Sequence, residues 1–123
     1  MLELDLRSPI PIYDQIKAGL RGLVARGLLR PGDAAPSIRS MAAQLKVNPN
    51  TVARAFRELT LEGFLEARRG DGSLIAEGAA RHVKDGMSEL REGLKDALLR
   101  ARRGGLSWGD VDALVRASRK EEP

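Results

Sequence analysis

The sequence predicts a mainly α-helical chain carrying one small β-hairpin, and three observations lead there. Apolar residues recur at three- and four-residue spacing through most of the chain. Only the stretch FLEARRGDGSLIAE, residues 64–77, breaks that period, and it has the form of two short strands around a glycine turn. Of the 123 residues 42% are hydrophobic but only 3% are aromatic, so Leu and Ala side chains must do most of the packing, as they do between helices.

The opening segment, with Pro9 and Pro11, is expected to be an extended lead-in. Ile12, Ile16, Leu20, Leu23 and Val24 then mark a first helix that Gly27 and Pro31-Gly32 close. Gly19 and Gly22 weaken it by roughly 1 kcal/mol each relative to Ala, so packing must hold it. Ser37 is a plausible N-cap for a short helix with Ile38, Met41, Ala42 and Leu45 on one face. Lys46 and Val47 make a brief connection. Asn48 then caps a further helix with Pro49 at its first position, where the missing N–H costs nothing. That helix runs to Gly63 with Val52, Ala55, Phe56 and Leu59 inward. At 100° per residue, Asn50, Arg54, Arg57 and Glu58 fall on the other side and Thr51 on the flank.

The remainder, residues 79–123, reads as a second unit joined to a first one spanning 1–78. Val83, Met87, Leu90, Leu94, Ala97 and Ala101 alternate at four and three residues, a heptad seam that Leu98 widens. Gly104-Gly105 ends this helix. Ser107 and Asp110 have capping-box spacing for a last helix with Val111, Leu114 and Val115 inward and Trp108 near its start, while the tail from Arg119 is expected to fray. Two helices of this length bury too little to form a core alone, so they are expected to share one with a second copy. Val83, Met87, Leu90, Leu94, Ala97, Leu98, Ala101, Trp108, Val111 and Leu114 form the expected dimer interface.

Composition removes several function classes. The chain has no cysteine and a single histidine, His82, which excludes thiol catalysis, disulfides and multi-histidine metal sites. His82 is read as an exposed surface residue. No nucleophile is paired with a base, so no enzyme activity and no cofactor are expected. No apolar run approaches the length of a membrane helix, and the acidic N-terminus is unlike a signal peptide, which makes the cytoplasm the expected location. A pocket large enough for a drug-sized effector is hard to build from the terminal helical hairpin. The net charge of +4 is modest, but it is concentrated: residues 34–57 hold Arg39, Lys46, Arg54 and Arg57 and no acid.

That window coincides with two short helices joined by a tight connection, the second one capped and basic near its N-terminus. Such a pair is a helix-turn-helix, and the hairpin after it supplies a wing. One helix fits the major groove of DNA, about 12 Å wide, and its N-terminal N–H groups favour phosphate. The fold expected is therefore a winged helix-turn-helix followed by a two-helix dimerisation hairpin. Arg54 and Arg57 suit guanine or phosphate, and Asn50 suits adenine or the backbone. Ser37 and Lys46 suit phosphate, and Asn48 lies with them at the helix start. Strand alternation sends Arg68 and Arg69 to opposite faces, and Arg69, beside Gly70 and Gly72, is the better wing contact.

These residues also carry a resemblance. The run PSIRSMAAQLKVNPNTVARAFRELTLEGFLEARRGDGS, residues 36–73, closely resembles the winged-helix domain of GntR-family bacterial transcription regulators, and RSPIPIYDQI upstream is similar to that family's start. The short helical C-terminal part is similar to the YtrA-type subgroup. The resemblance implies a homodimeric repressor bound to double-stranded DNA at an inverted-repeat operator. By motif position it points to Arg39, Asn50, Thr51 and Arg54, and to Arg69, Gly70 and Gly72 in the wing. Two positions depart from the pattern. Many members have arginine where this chain has Ala53, with its own arginine one residue later. Asp71 stands between the wing glycines, where members often carry a non-acidic residue, and phosphate repels it. A different class of function, a protein-interaction adaptor on the same fold, would show little salt-dependent DNA affinity.

Overall fold

The computed structural model describes residues 2–68 and 72–122. The elements follow in the order α1 (Ile12–Ala25), α2 (Ile38–Leu45), α3 (Pro49–Leu61), β1 (Leu65–Arg68), β2 (Gly72–Ile75), α4 (Ala79–Arg103) and α5 (Trp108–Glu121). The architecture is the winged helix-turn-helix that the sequence predicts, with a helical hairpin after it.

The chain divides into two compact units, one closing at Asp85 and the next opening at Gly86. The core of the first takes Ile16, Leu20 and Leu23 from α1, Met41 and Ala42 from α2, and Val52, Ala55, Phe56 and Leu59 from α3. These are the stripes that the helical period picks out. Phe64, Leu65, Ile75 and Ala79 close it from the hairpin and the start of α4.

Local chemistry fixes the helix ends. The Ser37 hydroxyl accepts from the Ser40 N–H at 3.0 Å and the Asn48 side chain accepts from the Asn50 N–H at 2.8 Å, so both expected caps form. At the end of α3, Gly63 has φ of +82°. Its N–H reaches Thr60 O at 3.1 Å and the Phe64 N–H reaches Leu59 O at 2.9 Å, a glycine-terminated Schellman turn that drops Phe64 into the core. The connection after α2 is more strained than a plain linker, because Lys46 itself takes the left-handed conformation at φ 57°. Gly19 also has a reason that its helix propensity hides. A Cβ there would meet the Leu2 side chain, so the glycine lets the lead-in lie against α1. Gln15 pins that lead-in, accepting from Asp5 N–H at 2.7 Å and donating to Asp5 O and Ile10 O.

β1 and β2 pair antiparallel with Leu65 opposite Ile75 and Arg68 opposite Gly72. A third edge, which the periodicity does not reveal, comes from the segment before α2. Asp33 O accepts from Ile75 N–H at 2.8 Å, and Ala35 N–H donates to Ser73 O at 2.9 Å. The residues are too few to show strand alternation in sequence.

Three expectations change. Ala79 is fully buried and Val83 packs against the same core, so the first unit runs on into α4 past Gly78, and Val83 is engaged within its own chain. His82 is half-buried rather than exposed, its ring 5.7 Å from that of Phe64. The tail stays helical to Glu121, where Arg119 and Lys120 in the last turn complement the helix dipole.

In the second unit the Ser107 and Asp110 capping box forms as expected, with bonds of 2.8 and 3.0 Å. The bond from the Ser107 backbone holds the Asp110 carboxyl below its ordinary range.

Candidate nucleic-acid interface

α3 turns its apolar stripe into the core and leaves Asn50, Arg54 and Arg57 exposed on the outside, with Thr51 half-buried on the flank. Arg39 on α2 and Lys46 in the connection are exposed as well, so all four basic residues of the acid-free window lie at the surface of the helix-turn-helix. Ser37 and Asn48 are already committed as caps. Each keeps donor capacity for a phosphate, but neither is a free side chain. Gly72 is exposed at the start of β2 with φ of +79°. Arg69 and Gly70 lie outside the described residues.

The structure adds a feature absent from the sequence reading, an ion network behind α3. Lys17 of α1 is almost fully buried, and its Nζ donates to Glu58 Oε1 at 3.0 Å and to Glu62 Oε1 at 2.7 Å. Arg21 donates to Glu62 Oε2 at 2.7 Å, and His82 Nε2 lies 3.5 Å from the same oxygen. Arg54 joins from the outer side, its Nε donating to Glu58 Oε2 at 3.2 Å while its guanidinium lies 3.7 Å from the centre of the Tyr13 ring. Hydrophobic periodicity gives no weight to charged positions. The signal was present nonetheless, since Lys17 follows the core residue Ile16, and Glu58 and Glu62 are one helical turn apart.

The network engages Glu58, the one acid of α3, and Glu62, which caps its C-terminal end. The Lys17 hydrogen bond holds the Glu58 carboxyl below the usual carboxylate range, with Arg54 adding to the effect against burial. Burial pushes Glu62 up, but Lys17 and Arg21 outweigh it and leave its carboxyl low as well. Burial alone would lower the Lys17 ammonium, and the two carboxylates reverse this and raise it.

A depressed carboxylate stabilises the fold above its unfolded value and loses that contribution as pH falls through the folded one. Acidification from about pH 5 to about pH 3, across the ordinary glutamate range, should therefore destabilise the first unit. In Lys17→Met this slope should be shallower, because both carboxylates return towards ordinary values. Urea midpoints across that range measure it, with His82 common to both proteins. Equal slopes would show that Lys17 does not hold the pair. At the alkaline end, the raised Lys17 contributes until pH passes its folded value and is lost above it.

In the second unit, Leu94, Ala97, Leu98 and Ala101 of α4 face Leu106, Val111, Leu114 and Val115 across an open apolar groove of about 550 Å³. Leu94 is 62% exposed and Leu114 58%, while Val111 is buried between the helices. Met87 and Leu90 continue the exposed stripe along α4. Trp108 is half exposed, with the Arg102 guanidinium 5.0 Å from its ring. The groove has the volume of a ligand site, yet it is open and aliphatic and lacks the enclosing walls that hold a small molecule.

The model of the gntR family of bacterial regulatory proteins matches residues 12–75, from the first turn of α1 through the last residue of β2. The chain belongs to that family. Among curated GntR relatives, the HTH-type transcriptional repressor YtrA of Bacillus subtilis (strain 168) is 39% identical over 130 residues, covering 99% of this chain and 100% of that protein. The GntR-family transcription factor YtrA from Sulfolobus acidocaldarius superposes with a TM-score of 0.61 at 36% identity, covering 80% of this chain and 97% of that one. The DNA-binding domain of AraR, solved in complex with operator ORX1, matches with a TM-score of 0.56 at 25% identity, over 61% of this chain and 96% of that one. The match to YtrA of B. subtilis runs through the C-terminal helices as well as the winged helix. Among the described residues, no helix is long and apolar enough to cross a membrane and no cluster of acids or histidine is arranged to hold a metal.

Proposed function

We propose that this GntR-family regulator is a cytoplasmic homodimeric repressor that binds an inverted-repeat operator, with α3 of each subunit in a major groove. The observation that carries the reading is the outer face of α3. Asn50, Arg54 and Arg57 are exposed there, Arg39 and Lys46 are exposed on α2 and in the connection, and Glu58, the one carboxylate of α3, is held by Lys17 and Arg54. Positive charge without competing acid draws in phosphate, and the long side chains then meet base edges. The apolar groove of the second unit supports pairing of two copies. Two-fold symmetry would set half-sites about one helical turn apart. The name of YtrA of B. subtilis supports repression as the outcome of binding.

Arg54→Ala should weaken operator binding by about 1–3 kcal/mol and relax preference at one base pair. Binding by the wild type should also fall steeply as salt rises, by a power set by the number of phosphates neutralised. Fragments selected from genomic DNA by the purified protein supply the operator for both titrations. Equal affinity of Arg54→Ala and wild type for operator and scrambled duplexes would refute the recognition assignment. A wild type without salt-dependent DNA affinity would favour an adaptor role.

A further inference from the structure

Arg54 is the one outward arginine of α3 whose side chain is held from two directions before DNA arrives. Its guanidinium lies 3.7 Å from the centre of the Tyr13 ring on α1, and its Nε donates to Glu58 Oε2 at 3.2 Å. Among the described residues, no bond engages its terminal nitrogens, Nη1 and Nη2. Glu58 is itself fixed, since its other oxygen accepts from the nearly buried Lys17. An arginine can offer a bidentate acceptor either its Nε edge or its Nη1–Nη2 end, and here the first is taken. An arginine on an exposed helix face normally gives up rotamer freedom on binding, and a guanidinium already seated on a ring gives up less.

We propose that Tyr13 and Glu58 are positioning residues that hold Arg54 in a preset rotamer and present its terminal fork, end on, to the O6 and N7 edge of a guanine. This deepens the DNA-reading role assigned to Arg54 and rests on it. Tyr13 lies on α1, outside the helix-turn-helix, so a residue that touches no base sets the preference at one base pair. It also bears on Ala53. An arginine there would sit about 100° around the helix from the one present at Arg54, away from the Tyr13 and Glu58 seat.

The test uses the full-length protein and a randomised duplex pool, with base preference read at every position of the selected site. The wild type should show one guanine-selecting position that Arg54→Ala abolishes. Tyr13→Leu should lower discrimination at that position about three-fold, as expected for loss of an exposed cation–π contact, and leave the other positions unchanged. Tyr13→Phe keeps the ring face and should keep the preference. Glu58→Met should lower it similarly, and Glu58→Gln, which retains an oxygen acceptor, should restore most of it. Preference is a ratio measured within one protein, so partial unfolding of a variant does not mimic the effect. A pool that shows no sequence selection by the wild type takes down the DNA-reading role and the proposal with it. If Arg54→Ala loses the position but Tyr13→Leu keeps it in full, or lowers every position alike, the proposal fails and the reading role stands.

Discussion

Phe64→Ala should cost the first unit about 3–5 kcal/mol, a large part of the stability of a domain this size. Phe64 is fully buried and is the largest side chain in that condition. It sits where three structures meet. Its N–H closes the turn that ends α3, its carbonyl accepts from Ala76 N–H at 3.0 Å, and its ring packs beside His82 at the start of α4. Truncation therefore leaves a cavity at the joint between α3, the hairpin and α4. In thermal unfolding the loss should appear as a fall in melting temperature of about 12 °C or more. Leu61→Ala is the control. Leu61 is only three residues away but 83% exposed, and its truncation should stay within about 0.5 kcal/mol. A Phe64→Ala protein as stable as Leu61→Ala would mean that the joint is not organised around this ring.

The contrast between Phe64 and Lys17 shows what the sequence makes legible. Phe64 belongs to an apolar pattern with a change of period beside it and a glycine before it, and each is a local signal with a local cause. The helices, the caps at Ser37, Asn48 and Ser107, and the two short strands after Gly63 all follow from signals of that kind. Lys17 does not, because what makes it structural is a pair of carboxylates more than 40 residues away, which no window along the chain contains. The third edge of the wing is hidden for the same reason. Residues 33–35 become sheet only because β2 offers them a partner. Of the candidate interface, the basic residues were legible as a type and a face. Their preparation was not, since the seat of Arg54 on Tyr13 depends on how α1 crosses α3. Val83 fits the heptad seam in sequence, yet it packs against the first core, a contact that the seam pattern does not show.

Replacing Leu94 and Leu114 together by Asp should convert the proposed dimer to a monomer and weaken operator binding about 10²–10⁴-fold. The size follows from symmetry. When two recognition helices are joined, the second binds at an effective concentration set by the joint, and severing the joint forfeits that gain without touching a DNA contact. In an isolated chain both positions are more than half exposed, so carboxylates there cost little. In a dimer the same carboxylates would be buried without partners, which is a cost of several kcal/mol per pair of sites. Only a shared core makes the substitution expensive, and sedimentation measures it directly. The substitution is also cleaner than truncation. A chain ended at Gly78 loses Ala79 and Val83 from the first core, so weak DNA binding by it would confound lost pairing with a damaged winged helix. The double variant leaves that core whole, and its first unit should melt as in the wild type. A double variant that sediments as a dimer would remove the α4–α5 groove from the interface. One that is monomeric and still binds a single inverted repeat with wild-type affinity would show that the two recognition helices do not act as a pair.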